Sequence, residues 1–336
     1  MKKQKISTKK SNIKLYKKSQ KLIPIFFATD DNYMPFLEVS LRSLIDNASK
    51  EYKYIVHVLN SGLKSENMEK VKRLENDNFI IDFCDITDAI KPIRNKLKNI
   101  YHFGLAAWYR LFIQSLFPQY DKVLYLDCDI VVLGDISKLY NTQLGNNLVA
   151  AIECNIIRLD PVFSEYTREF CGIDQKEYFN SGILVMNLKQ FRKDRIQDKF
   201  LYLINKYNFD VIDPDQAYLN VLTHGKIKYL PNGWNKEAVG TPLEGKLNIV
   251  HYALYKKPWQ YDDVLNAEYF WNYASQSPFY DHIRNIKDSF NDEMREKKEK
   301  ANIDIVEHAK RVIKSEKSFV KCLQSDIDWL TSIAYC

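Results

Sequence analysis

The 336-residue chain predicts an α/β fold: a mainly parallel central sheet with helices on both faces, followed by a helical C-terminal appendage. Two patterns carry this expectation. From Ile23 onward, short runs rich in β-branched and aromatic residues alternate with segments at helical spacing, the order that builds parallel strands joined by crossover helices. From about Gln276 the strand-like runs stop and the chain turns charged and helical. The expected organisation is therefore a lysine-rich arm at 1–21, one α/β domain at 22–275 and the appendage at 276–336.

The elements follow in order. "IPIFFAT" reads as a strand, and "PFLEVSLRSLIDNA" places Leu37, Leu41, Leu44, Ile45 and Ala48 on one helical face, with Pro35 suited to a first turn. "YIVHVLN" reads as a strand, "KSENMEKVKRLEN" as an exposed helix and "FIIDFCDI" as a strand. A helix at "GLAAWYRLFIQSLF" leads into the strand "KVLYLDCDIVVL". After it come the strands "LVAAIEC" and "SGILVMNL", a helix near "KQFRKDRIQDKFLYLINKY", another at "DQAYLNVLT", and short strands at "KIKYL" and "NIVHYA". No internal repeat is present.

Composition excludes several classes. With 46% hydrophobic residues the chain can bury a core. Its formal charge is +6, but residues 1–21 hold nine lysines and no acid, so the remainder is net acidic and presents no general nucleic-acid surface. No apolar run approaches the ~18 residues of a membrane span. "LIPIFFAT" is short, contains Pro24 and reads as a first core strand, so a cytoplasmic location is expected. Six cysteines lie scattered without CxxC spacing, which argues for reduced thiols and against a zinc site.

The stretch "KVLYLDCDIVVLG" sets two aspartates, Asp127 and Asp129, inside an apolar strand-like run. Buried carboxylates need partners. Residues two apart on a strand face the same way, so their oxygens can hold one hard divalent cation and leave positions for water or phosphate. In an open α/β sheet such a site lies beyond the carboxyl ends of the strands, where Asp30, Asp31 and Asn32 also fall.

The ordered segments "FFATDDNY", "WYRLFIQSLFPQYDKVLYLDCDIVV", "YFNSGILVMNL", "DPDQAYLN" and "HYALYKKPW" resemble the family 8 retaining glycosyltransferases, relatives of bacterial lipooligosaccharide galactosyltransferases and glycogenin. The resemblance runs from about Ile23 to Trp259. It implies a single Rossmann-like, GT-A-type domain with a mixed, mainly parallel sheet, transferring galactose or glucose from a UDP-sugar to a glycan, glycolipid or glycoprotein. Carried across by position, it sets Ala28, Asp30 and Asn32 on the uracil and ribose, and Asp127, Asp129 and His251 on Mn²⁺, with Mg²⁺ as the alternative ion. It sets Lys257 on the diphosphate, Arg110, Asn180 and Asp215 around the donor sugar, and Gln216 beside the anomeric carbon.

The residues themselves add physical reasons and simpler readings. A histidine beside two carboxylates favours Mn²⁺ over Mg²⁺, although a strand-end histidine can equally be a hydrogen-bonded core residue. Arg110, in an apolar segment, requires an anionic or carbonyl partner. Asn180 precedes a strand in "NSG", ordinary turn chemistry. Asp213 reads as a helix cap with Pro214 at the first helical position, which places Asp215 and Gln216 in the first turn. Two departures stand out: Leu254 replaces the glycine of the family's HxxGxxKPW segment, and Glu153 is an acidic candidate of uncertain register. Alternatives are a nucleotidyl or phosphosugar transferase and an inert sugar-nucleotide-binding or scaffolding protein. In the tail, Ile305, Ala309, Val312 and Ile313 form an apolar stripe beside Lys310, Arg311, Lys314, Lys317 and Lys321, with Phe319 and Trp329 as interface aromatics. It suits peripheral membrane contact or packing on its own domain.

Overall fold

The computed structural model describes residues 21–97, 101, 104–254 and 256–326; the lysine-rich arm up to residue 20, Trp329 and Cys336 lie outside the described residues. Ten strands form among the described residues: β1 (Lys21–Ala28), β2 (Tyr52–Asn60), β3 (Phe79–Asp85), β4 (Val123–Leu126), β5 (Ile130–Val132), β6 (Val149–Glu153), β7 (Phe179–Met186), β8 (Ile227–Tyr229), β9 (Lys236–Glu237) and β10 (Ile249–His251). Seven make one sheet in the order β3-β2-β1-β4-β7-β6-β8, and β5-β10-β9 make a small second sheet. The pairs β2/β3, β1/β2, β1/β4 and β6/β8 are parallel, whereas β7 runs antiparallel to both β4 and β6. The large sheet is thus mixed and mainly parallel.

Alternation along the strands builds two apolar layers. On β1, Ile23, Ile25 and Phe27 face one layer and Phe26 the other; on β4, Leu124 and Leu126 oppose Val123 and Tyr125. Both faces are covered, which is why these strands read as near-continuous hydrophobic runs. The helices Met34–Asn47 and Ser65–Lys72 carry the chain outward from β1 to β2 and β3. It then returns to β4 on the other side of β1, and that reversal opens the crevice in which α/β sheets bind ligands.

Four local expectations are corrected. The run through Asp127 and Asp129 is two strands, not one: after Leu126 the chain leaves the large sheet and enters the small one. The Asp127 N–H donates to the Gly182 carbonyl (2.8 Å), and the Asp129 carbonyl accepts from the Tyr252 N–H (3.0 Å), so the break leaves both backbones paired. The two side chains therefore converge through a hinge between sheets. The expected helix at "GLAAWYRLFIQSLF" is a 3₁₀ segment, Leu105–Phe112, followed by one α turn at Ile113–Leu116. Within it Arg110 Nε donates to the Ala107 carbonyl three residues back (3.0 Å). The helix near "KQFRKDRIQDKFLYLINKY" is split at Arg195, whose φ of 54° ends one helix and starts the next. Asn180, Ser181 and Gly182 lie within β7, at an irregularity in its pairing with β6, and not in a preceding turn.

The tail helices pack into both layers. Phe270, Phe279 and Ile283 join the layer of the Met34–Asn47 helix. The Asp292–Ile313 helix crosses to the opposite layer, where Ile305, Ala309, Val312 and Phe319 are buried with Phe170 and Tyr218. The apolar stripe is therefore occupied by the domain itself and offers no free apolar face, while Lys310, Lys314, Lys317 and Lys321 stay exposed. No helix among the described residues is long and apolar enough to cross a membrane. Cys84, Cys128, Cys154, Cys171 and Cys322 are free thiols.

Phe319 sits fully buried with its ring 4.0 Å from that of Phe209 and 5.2 Å from that of Tyr218. Phe319→Ala is expected to cost about 3–5 kcal/mol in urea unfolding. A loss below about 1 kcal/mol would show that the tail docks without anchoring the domain.

Candidate active site

A cleft of about 420 Å³ opens where β1 and β4 end, and the residues that the resemblance sets around donor and ion line it: Ala28, Asp30, Asn32, Arg110, Asp127, Asp129, Asn180, Asp215, Gln216, His251 and Lys257. At the end of β1, Asp30 Oδ1 accepts from the N–H groups of Asn32 (2.9 Å) and Tyr33 (3.1 Å), which fixes the loop at the rim. Asp31 faces away and binds the Lys64 N–H and the Asn67 side chain.

Asp127, Asp129 and His251 each offer a donor atom, all within 4.8 Å of one another. The histidine tautomer follows from a chain of hydrogen bonds that begins at a backbone donor. The Gly182 N–H can only donate, so it identifies Asn180 Oδ1 as an acceptor (2.9 Å); that oxygen also accepts from Asn235 Nδ2 (2.9 Å). Asn235 then turns its Oδ1 to His251 Nδ1 (2.8 Å), which must carry the proton. In the neutral ring Nε2 then carries the lone pair, 3.3 Å from Asp129 Oδ1. Two electron-rich atoms at that distance call for a cation, and a buried carboxamide holding the second ring nitrogen is how ligating histidines are oriented. Gly182 keeps the space open: a Cβ there would lie 2.5 Å from His251 Cε1 and 2.8 Å from Asp127 Oδ2. The donor set and the space both fit a divalent ion of the Mn²⁺ type.

A second grouping, His57, Asp82 and Cys84, has a different character. Both nitrogens of His57 are engaged, Nδ1 with Asp82 (3.1 Å) and Nε2 with the Tyr120 hydroxyl (2.9 Å), so this is a closed network at the sheet edge.

Two buried cations neutralise the aspartates. Lys257 Nζ donates to Asp129 Oδ2 and to the Tyr252 carbonyl, each at 2.5 Å. Burial alone would raise the Asp129 carboxyl, but the Lys257 ammonium holds it well below the usual carboxylate range. Arg110 reaches Asp127 (2.9 Å), Asp215 (3.0 Å) and Ser181 Oγ (3.0 Å), and its guanidinium lies 4.1 Å over the Tyr125 ring. Burial disfavours its charge, yet Asp127 and Asp215 keep it protonated. Arg110 thus finds the anionic partners that its apolar segment requires, in buried ion pairs.

Asp213 occupies the position before the Pro214–Thr223 helix, but its carboxylate makes no cap hydrogen bond. It accepts instead from the hydroxyls of Tyr178 (2.5 Å) and Tyr166 (3.2 Å) and from Gln216 Nε2 (3.0 Å). Burial pushes it up to about 7, against the pull of these donors and with the help of Asp215. Gln216 is pinned at both ends, since its Oε1 accepts from the Ser181 N–H (3.0 Å). Asp215 accepts from Ser181 Oγ (3.0 Å), and burial raises it against the influence of Arg110.

Leu254 has φ of 61°, so the backbone takes the left-handed conformation that glycine would adopt freely, with leucine accepting the strain. Glu153 ends β6, pairs with Arg158 (2.8 Å) and does not line the cleft. The sequence reading missed Asn235, Gly182, Ser181 and the contact of Asp213 with Gln216. Their signal lay in polar residues punctuating apolar runs, as in "FNSGIL" and "NGWNKE".

The fold is a mixed, mainly parallel α/β sheet with a charged cleft at the strand ends, and comparison with known proteins gives the family. Residues 24–263 match glycosyl transferase family 8, and the chain belongs to that family. It is 29% identical over 266 residues to general stress protein A of Bacillus subtilis, covering 72% of this chain and 89% of that one. It is 26% identical over 273 residues to lipopolysaccharide 1,2-glucosyltransferase of Escherichia coli, covering 76% and 78%. Galactosyltransferase LgtC, solved with donor and acceptor sugar analogs, superposes with a TM-score of 0.65 at 27% identity over 76% of this chain and 96% of that one. The bifunctional glycosyltransferase WbbM superposes with a TM-score of 0.70 at 25% identity over 82% of this chain, which spans only 53% of WbbM.

Gly182→Ala is expected to displace His251 or Asp127 and weaken Mn²⁺ binding at least ~10-fold by calorimetric titration. Undiminished affinity would place the ion elsewhere. Asp213 predicts a pH effect on stability. The folded chain holds its proton more tightly than the unfolded chain, whose reference value is 3.8, so this contribution is present at low pH and is lost as pH rises to about 7. Thermal melts of wild type and Asp213→Asn should therefore diverge between about pH 4 and 7, the wild type losing ground as pH rises. Parallel curves would refute the raised carboxyl.

Proposed function

We propose that the chain is a retaining hexosyltransferase that moves galactose or glucose from a UDP-sugar to a saccharide, glycolipid or glycoprotein, with Mn²⁺ held by Asp127, Asp129 and His251. The observation that carries the proposal is the convergence of Asp127, Asp129 and His251 in the crevice between β1 and β4, with His251 Nδ1 held by the Gly182–Asn180–Asn235 chain and Nε2 facing Asp129. Relatives named for glucosyl and for galactosyl transfer support a hexose donor and leave both sugars open.

The bound ion would supply Lewis-acid neutralisation of the charge that grows on the departing diphosphate. The chain's own residues supply the rest. Ala28, Asp30 and Asn32 receive the nucleoside at the rim. Lys257, held at the cleft by Asp129 and the Tyr252 carbonyl, donates to a diphosphate oxygen. Arg110 and Asp215 hold each other rigid beside the sugar, and Asn180 borders the same space. Preorganised charge of this kind is worth most in a site shielded from water. Gln216, fixed by Ser181 and Asp213, has no freedom to swing onto the anomeric carbon, which supports front-face substitution with the leaving phosphate oxygen taking the acceptor's proton. Any membrane contact of the tail would rest on exposed lysines, because its apolar stripe is buried.

The test is UDP release from a panel of UDP-sugars with Mn²⁺, Mg²⁺ or EDTA, comparing wild type with Asp129→Asn. Expected is metal-dependent release for one donor, reduced by ~10²-fold or more in the variant. Absence of both UDP release and UDP binding would sink the proposal, and a covalent sugar trapped on Gln216 would refute the front-face version.

A further inference from the structure

The Asp292–Ile313 helix presents Lys298, Ala301, Asn302 and Ile305 to the cleft, a spacing of three, four and seven residues that forms one helical face. The Ile305 end of this face adjoins Phe163 and Ile157 in the apolar layer. The Lys298 end approaches Lys257: burial first, and then the Lys257 charge, lowers Lys298 below the ordinary lysine value. Two ammonium groups therefore share one cavity.

Their situations differ. Lys257 is bound to Asp129 and to the Tyr252 carbonyl. Lys298 makes no hydrogen bond or ion pair among the described residues, although its exposed neighbours Lys297 and Lys300 pair with Glu293 and Asp304. The helix denies it a counterion: the residues three and four positions away are Met294, Arg295, Ala301 and Asn302, none of them acidic. A half-buried cation next to a like charge is unfavourable until an anion enters between them.

We propose that Lys298 is a second cation for the donor's diphosphate, brought into the site by the C-terminal helix. The proposal rests on the reading of the cleft as a UDP-sugar site. It gives the tail a chemical role, because the packing that buries Ile305, Ala309 and Val312 is what fixes Lys298 over the phosphates.

The experiment titrates UDP and uridine, each with Mn²⁺, into the full chain as wild type, Lys298→Gln and Lys298→Arg, using calorimetry for UDP and ligand-observed NMR for uridine. Expected is ~10-fold weaker UDP binding in Lys298→Gln, uridine unchanged, most of the loss recovered in Lys298→Arg, and a shallower salt dependence in the glutamine variant. Equal UDP affinity in wild type and Lys298→Gln overturns the proposal. So does an equal loss for UDP and uridine, which marks a structural role, and so does a change confined to the acceptor KM. A wild type that binds no UDP would overturn the donor-site reading itself, a result separate from any effect of the variants.

Discussion

The structure turns on two carboxylates placed at the end of a buried strand. Asp127 and Asp129 sit where the chain passes from one sheet to another, behind Leu126 and before Ile130, both fully buried. Such groups remain ionised only if positive charge and hydrogen-bond donors are supplied locally. Much of the surrounding architecture answers that demand. Arg110 is drawn inward on a 3₁₀ segment, Lys257 is folded back from the loop after β10, and Tyr125 lies under one guanidinium while its hydroxyl donates to Asp127 (3.0 Å). Removing one partner from such a set leaves an uncompensated buried charge, so the fold and the site cannot vary independently.

That dependence explains what the sequence made legible. Strands buried on both faces give continuous apolar runs, so β1, β2, β4 and β7 are visible from composition, and the aspartates stand out because they interrupt such a run. His251 and Lys257 were reachable through the order of segments. The hinge between β4 and β5 was not, because Val131 and Val132 are as suited to the large sheet as to the small one; the choice is made by pairing with β10 more than a hundred residues later. The left-handed break at Arg195 is similarly hidden, arginine being an ordinary helix former. Asn235 was illegible for a related reason. An asparagine carries no chemistry of its own until its partners are known, and its partner Asn180 is 55 residues away.

Leu254 shows the difference between a residue and the conformation it serves. Leu254 stands where the resemblance expects a glycine. The backbone adopts the left-handed geometry regardless, held between His251 on β10 and Lys257, whose contacts with Asp129 and the Tyr252 carbonyl close a tight loop. A leucine in that region costs about 1–2 kcal/mol. The loop closes because the ion pair and the strand pairing on either side over-determine it, and the added side chain lines the cleft as apolar wall.

The arrangement around Gln216 bears on the proposed front-face substitution. A carboxamide oxygen becomes a better nucleophile when its lone pairs are free and its nitrogen donates to an anion. Here the oxygen is engaged by the Ser181 N–H, while the nitrogen donates to Asp213, whose charge is weakened by burial near neutral pH. Both effects lower the nucleophilicity of Gln216. Asp215, the nearest carboxylate on the same helix, is tied to Arg110 and Ser181 and cannot approach a substrate without breaking a buried ion pair. Neither side chain is prepared for covalent catalysis. Under the proposed function these residues form a rigid, dipolar wall beside the anomeric carbon while Lys257 meets the leaving group, an asymmetry that favours departure and attack through one face.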